Sequence, residues 1–184
     1  LAKRDPFGNP TNGVNRVQTA IASYDNAAVE TEKANTIWDP TKYLNMWTFR
    51  FGGDLDGVLG YAQFPTGSTL TGIPAGTTTA NTDGVVASYD AFGTIAENDG
   101  TFILNATYNL GRTMTHEVGH WLGLRHIWGD NTTCPSVNNN TTEDYCADTP
   151  GALEANFDCI TLDSCPSTAG NDMIQNYMDY TNDA

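Results

Sequence analysis

His116, Glu117, His120 and His126 stand within the eleven residues HEVGHWLGLRH, and their types and spacing prescribe a chemistry. The sequence predicts a helix from about Leu110 to Leu122, which puts His116 and His120 four residues apart on one face. Two imidazoles so placed can bind one tetrahedral zinc ion at about 2.0–2.1 Å. Glu117 lies beside them and is not needed as a ligand, so its carboxylate can face an activated water and take its proton. Gly123 can end the helix in a left-handed conformation that costs a residue with a Cβ about 1–2 kcal/mol. That turn returns His126 as third ligand. The fourth position stays open, which marks a catalytic rather than a structural zinc site.

A single histidine on an apolar helix face is more often packed than ligating. The full H-E-x-x-H-x-x-G-x-x-H pattern, though, arises by chance in roughly one chain in 10⁵ of this length at average residue usage. The chain has three histidines, and all three stand in this stretch. A decayed site or another metal is what remains of the competing explanation.

Length and charge bound the rest. A chain of 184 residues with 4 Trp, 8 Tyr and 7 Phe supports one domain with a modest core. Eight basic against 22 acidic residues leave a net charge of −14. Such a surface repels phosphate backbones and anionic lipid, so neither nucleic acid nor membrane is expected as a partner. It suits basic peptide substrates or bound calcium, and equally a plain solvated surface. Four cysteines, all in the last third and none at C-x-x-C spacing, point to disulfides and an oxidising compartment. No apolar run approaches the roughly 18 residues that span a bilayer. The chain starts at Leu1 without a signal-peptide pattern and reads as a processed piece, so export is inferred only indirectly.

The elements that must position the motif follow in order. Residues 1–16 are dense in Pro, Gly and Asn and read as turns. Val17 to Asn35 is weakly helical or irregular. Tyr43 to Phe51 alternates apolar and polar residues and predicts a half-buried strand. Val58 to Phe64, closed by Pro65, predicts a second strand at a sheet edge, and Val85 to Phe92 a third. Residues 66–82 read as a surface loop. Beyond His126 the periodicity fades, which predicts an irregular region held by disulfides. Asn105, Asn131, Asn139 and Asn140 fit N-x-[ST], which matters only in a glycosylating host.

A second motif, Asn176-Tyr177-Met178-Asp179-Tyr180, follows 50 residues and more after His126. The long histidine motif with this methionine resembles the metzincin zinc proteases, which carry a Met-turn beneath the metal. HEVGHWLGLRHIWGD, the DTP at Asp148-Thr149-Pro150 and NYMDY together resemble the pappalysin family of metzincins, in particular its microbial, ulilysin-like members. The likeness covers most of the chain, from LAKRDPFGNPTNG through GYAQFP and GVVASYDAFG to the end.

The resemblance implies an α/β zincin fold, with a mixed twisted sheet and an active-site helix above a cleft. It divides the single domain, 1–184, into an upper subdomain, 1–123, and an irregular, disulfide-stapled lower one, 124–184. It implies a secreted, monomeric zinc endopeptidase acting on protein or peptide substrates. His116, His120 and His126 become the zinc ligands, Glu117 the general base and Met178 the Met-turn residue. Tyr180 becomes a hydrogen-bond donor to the tetrahedral intermediate, with a packing tyrosine as the alternative. Gly60, Tyr61 and Ala62 lie on the edge strand to which substrate adds. Asp183 would select Arg or Lys after the cut, unless it simply points at solvent. Structural calcium would be held around Asp144, Asp148 and Thr149. Cys134 pairs with Cys165 in the family, and the family partner of Cys159 would follow Ala184. Cys146 is left over, which leaves Cys146–Cys159 open within the chain.

The family's catalytic domain opens with a strand and a helix that nothing before Leu1 supplies. A fragment is therefore expected, with one sheet face short of cover. The rival functions are an inactive zinc-containing peptide-binding module and a zinc hydrolase acting on something other than protein.

Overall fold

The computed structural model describes residues 1–73, 79–130, 133–135 and 144–183. The regular elements are helix α1 (Asn26–Thr36), strands β1 (Met46–Phe49), β2 (Gly60–Ala62) and β3 (Val85–Ser88), and helix α2 (Arg112–Trp121), joined by turns and short 3-10 segments. The sheet runs β1-β3-β2, with β1 parallel and β2 antiparallel to β3. Its registers pair Trp47 with Val86 and Tyr61 with the same Val86. No helix among the described residues is long and apolar enough to cross a membrane.

The central strand explains the layering. Val85, Val86 and Ala87 are all fully buried, the mark of a strand covered on both faces. Successive side chains point to opposite faces. Val85 and Ala87 meet Met114, Val118 and Trp121 of α2, together with Ala62. Val86 faces the other way, to Val29 of α1, Tyr24 and Leu55, with Trp47, Phe49, Phe51 and Tyr61 around them. The face expected to stand short of cover therefore has α1 over it. The three predicted strands each contain an observed one but overshoot it. Pairing stops where the partner stops, and beyond Ser88 the chain tightens into the 3-10 turn Tyr89–Ala91.

α1 is better defined than its sequence suggests. Asp25 caps it by accepting from the Ala28 amide at 2.8 Å. Its weak signal has a cause: the buried face carries a charge. Lys33 is fully buried one turn after Val29. Its ammonium lies 2.8 Å from Glu30 Oε1 and over the rings of Tyr61 (5.2 Å) and Trp47 (5.6 Å). The Tyr61 hydroxyl donates to the same Glu30 oxygen at 2.8 Å. Burial lowers the pKa of Lys33, and Glu30 opposes that shift.

Among the described residues the chain after α2 is irregular, as expected. The Cys134–Cys165 disulfide closes across 31 residues. Ile127, Trp128, Ala152 and Met178 form a second core. The buried Asp179 accepts from the amide (2.9 Å) and side chain (3.0 Å) of Asn156. The Cys146–Cys159 pairing is not made: both are free thiols, Cys159 exposed and Cys146 half-buried. Cys146 is tied locally instead, its amide donating to Asp144 Oδ1 at 2.9 Å. Being left over from other pairs does not bring two thiols within bridging distance.

The buried ion pair makes a prediction. Glu30→Ala strands the Lys33 ammonium and lowers unfolding free energy by roughly 3 kcal/mol, whereas Lys33→Met removes the charge, keeps the packing and costs less than half as much. Urea denaturation of both variants checks the order; equal losses contradict it.

Candidate metal centre

α2 begins after Gly111 and presents His116 and His120 one turn apart. It closes with a left-handed Gly123 at φ +98°, where the Gly123 amide donates to His120 O and the Leu124 amide to Gly119 O, each at 2.9 Å. The chain thereby reverses and brings in His126. The three Nε2 atoms converge: His120 lies 3.0 Å from His116 and 3.1 Å from His126. Among the described residues this is the one group of three or more His, Cys, Asp or Glu side chains so gathered.

The other ring nitrogens decide the tautomers. His116 Nδ1 meets Tyr177 O at 2.6 Å, His120 Nδ1 meets Leu124 O at 2.8 Å, and His126 Nδ1 meets Asp130 Oδ1 at 2.7 Å. Carbonyls and carboxylates only accept, so each Nδ1 carries the hydrogen and each Nε2 a lone pair. Burial keeps the rings neutral, pushing His116 and His120 down to about 4 and lowering His126 as well. The short Nε2 contacts therefore contain no proton to share. Three lone pairs aimed at one another need a cation between them. Ligands at 2.0–2.1 Å from a tetrahedral ion sit roughly 3.3 Å apart, close to the spacing seen. The donor set fits zinc.

Two glycines clear space around this point. A Cβ on Gly119 would fall 2.3 Å from Met178 Sδ, so the glycine admits Met178 beneath the helix. Met178 O accepts from the Ile127 amide at 3.2 Å, and the preceding Tyr177 O holds His116. On the other side, a Cβ on Gly60 would fall 2.8 Å from Glu117 Oε1. Glu117 is only 5% exposed, and no hydrogen-bond donor among the described residues reaches its carboxylate. Burial alone raises its pKa to about 8.

These groups open onto a cleft of about 700 Å³, lined by β2, α2 and the segment around Tyr177 to Asp183. Gly60, Tyr61 and Ala62 are among its lining, and among the described residues β2 pairs on one side only. The Tyr180 ring lies 4.8 Å from His126 and 5.6 Å from His116, exposed on its outer side and packed also on Trp128 at 5.0 Å. Asp183 lines the cleft with one oxygen accepting from the Leu110 amide. Away from the cleft, Asp144 and Thr149 are buried and hydrogen-bonded to each other, while Asp148 is exposed. Asn105 turns its side chain inward to the Thr107 and Tyr108 amides (2.8 and 3.1 Å); Asn131, Asn139 and Asn140 lie outside the described residues.

Two neighbours of the imidazoles escape motif spacing. Asp130 bonds His126, and Trp128 stacks flat on it with centroids 4.3 Å apart and planes at 3°. The only hint in the sequence is a polar residue one helical repeat past the last histidine, in a segment that is not helical.

Residues 27–184 match the family model Peptidase_M43, described as pregnancy-associated plasma protein-A. An extracellular metalloprotease of Colletotrichum graminicola is 41% identical over 128 residues, 68% of this chain and 38% of that protein. One of Sordaria macrospora is 40% identical over 143 residues, 77% of this chain and 42% of that protein. Mature mirolysin of Tannerella forsythia, solved with a cleaved peptide, superposes with a TM-score of 0.77 at 39% identity. That match covers 100% of this chain and 62% of mirolysin, so the chain spans well under half of the fungal relatives and under two thirds of mirolysin. With its three-histidine cluster, its mixed sheet and these likenesses, the chain belongs to the pappalysin family of zinc metalloproteases and has its metzincin fold.

Proposed function

We propose that this chain is the catalytic core of a secreted zinc endopeptidase that binds extended peptides along β2 and hydrolyses them beside Glu117. One observation carries the proposal: three neutral imidazoles converge next to a buried carboxylate that no hydrogen-bond donor among the described residues reaches. His116, His120 and His126 would hold a zinc ion, which would supply Lewis acidity to a water and a scissile carbonyl.

Glu117 does the proton work. It accepts a proton as the water oxygen bonds the carbonyl carbon, and delivers it to the amine nitrogen as the C–N bond breaks. Its burial suits the second step, since desolvation raises the proton affinity of the carboxyl and lets it hold the proton until the amine leaves. Tyr180, close to both His116 and His126, is our donor to the developing oxyanion. The unpaired edge of β2 offers main-chain hydrogen bonds to the peptide. Asp183, with one oxygen spent on Leu110, has a second left to select Arg or Lys after the cut bond. A net charge of −14 favours basic substrates in the same sense. Secretion fits both the Cys134–Cys165 disulfide and the extracellular relatives.

Calcium enters the proposal at Asp144. Burial raises its pKa, Asp148 adds to the rise, and no cationic side chain among the described residues pairs with it. A hard cation shared with Thr149 and Asp148 would stabilise the carboxylate.

Two tests follow from these roles. Mass-spectrometric mapping of cuts in a mixed peptide library is expected to give chelator-sensitive cleavage before Arg or Lys. Glu117→Gln is expected to abolish turnover with one zinc per chain retained; hydrolysis by the zinc-loaded variant contradicts the base role. Absence of any cleavage by zinc-loaded wild type points to a binding module instead.

Metal-free protein tests the environment of Glu117. A folded-state pKa raised from 4.5 to about 8 leaves the folded state holding the extra proton, so stability is full below pH 4.5 and is lost as pH rises toward 8. Glu117→Gln removes that loss. The variant should match wild type near pH 5 and exceed it by on the order of 3 kcal/mol at pH 8. Thermal melts in chelator read this directly, and curves that stay parallel across the range contradict it. For calcium, the expected result is a higher melting temperature on titration with the ion, lost in Asp144→Asn. An equal response in the variant removes Asp144 from the site.

A further inference from the structure

We infer that Asp130 is a positioning residue for the metal centre, a side chain that holds His126 in its ligating orientation and is itself held by Arg125. The inference rests on the metal reading above and adds a residue that the histidine motif does not contain.

His116 and His120 are oriented by main-chain carbonyls, Tyr177 O and Leu124 O, whose places are set by the Met178 turn and the helix end. His126 has no such carbonyl. Its Nδ1 meets the Asp130 carboxylate at 2.7 Å. Reaching it takes an unusual backbone: Gly129 and Asp130 are both left-handed, at φ +62° and +60°. Among the described residues only Tyr145 shares this conformation without being glycine. Aspartate tolerates it better than most residues with a Cβ, though not as freely as glycine. A residue kept in strained backbone, where glycine would be relaxed, is kept for its side chain.

Arg125 secures the turn. One guanidinium nitrogen donates to Gly129 O at 2.7 Å and lies 3.8 Å from Asp130 Oδ2; the other donates to Gly72 O at 3.0 Å, across the chain. The Asp130 carboxylate thus has an imidazole N–H on one oxygen and a cation near the other. Trp128, stacked flat on His126, blocks rotation of the ring. A carboxylate on the far nitrogen makes an imidazole a stronger donor and fixes its tautomer. The third ligand, which lies outside the helix and has no rigid element of its own, is the one that needs such help.

The test is zinc affinity, measured by competition with a chromophoric chelator on wild type, Asp130→Asn and Asp130→Gly. Asp130→Asn keeps size and weakens the acceptor; zinc should bind about 10- to 100-fold more weakly. Asp130→Gly relieves the backbone and removes the carboxylate. Its metal-free form should melt at or above wild type while its zinc affinity falls at least as far. A purely structural aspartate would move both readouts the same way. Affinities of both variants within twofold of wild type overturn the inference. If wild type itself binds no zinc, the metal reading fails and takes the inference with it.

Discussion

Three imidazole lone pairs point at one place, and none has a proton to offer the others. That arrangement is repulsive unless a cation stands between them, and most of the surrounding structure serves to impose it. The Gly123 turn folds His126 back under α2, and Tyr177 O, Leu124 O and Asp130 each hold one ring by its far nitrogen. Gly119 lets Met178 support the cluster from below, where it packs with Ile127, Trp128 and Ala152, and Cys134–Cys165 staples the irregular half. Burial works in the same direction: it keeps the imidazoles neutral while raising the proton affinity of Glu117 beside them.

The sheet matters to this centre in two ways. β3, buried on both faces, is the slab on which α2 lies, so the position of the histidines is set by Val85 and Ala87 meeting Met114 and Val118. β2 is both wall and rim: its Gly60 leaves room for the Glu117 carboxylate, and its free edge borders the cleft. Tyr61, between those two roles, is braced from behind by Glu30 and the buried Lys33 of α1. A strand of three residues is short, and its back is anchored by an ion pair rather than by more sheet.

What was legible in the sequence was local. The spacing of His116, His120, Gly123 and His126 translates directly into helix, turn and return, and NYMDY stood out because the first motif made it meaningful. The three strands are legible, the first by its alternation and the second by its closing Pro65, but their ends depend on where partners stop, which no single segment records. α1 was faint because its buried face carries Lys33, which pattern counts as surface. Asp130 is not legible because its approach to His126 depends on two successive left-handed residues, and a one-repeat offset has no meaning outside a helix. The Cys146–Cys159 pairing failed because elimination among cysteines carries no information about distance.

X-ray absorption at the zinc edge tests the central claim most directly, since it reports the ligand atoms themselves. The account predicts one zinc per chain with three imidazole nitrogens at about 2.0–2.1 Å and one further light atom. A sulfur shell near 2.3 Å, which would bring in Cys146 or Cys159, or fewer than three imidazoles, would contradict it.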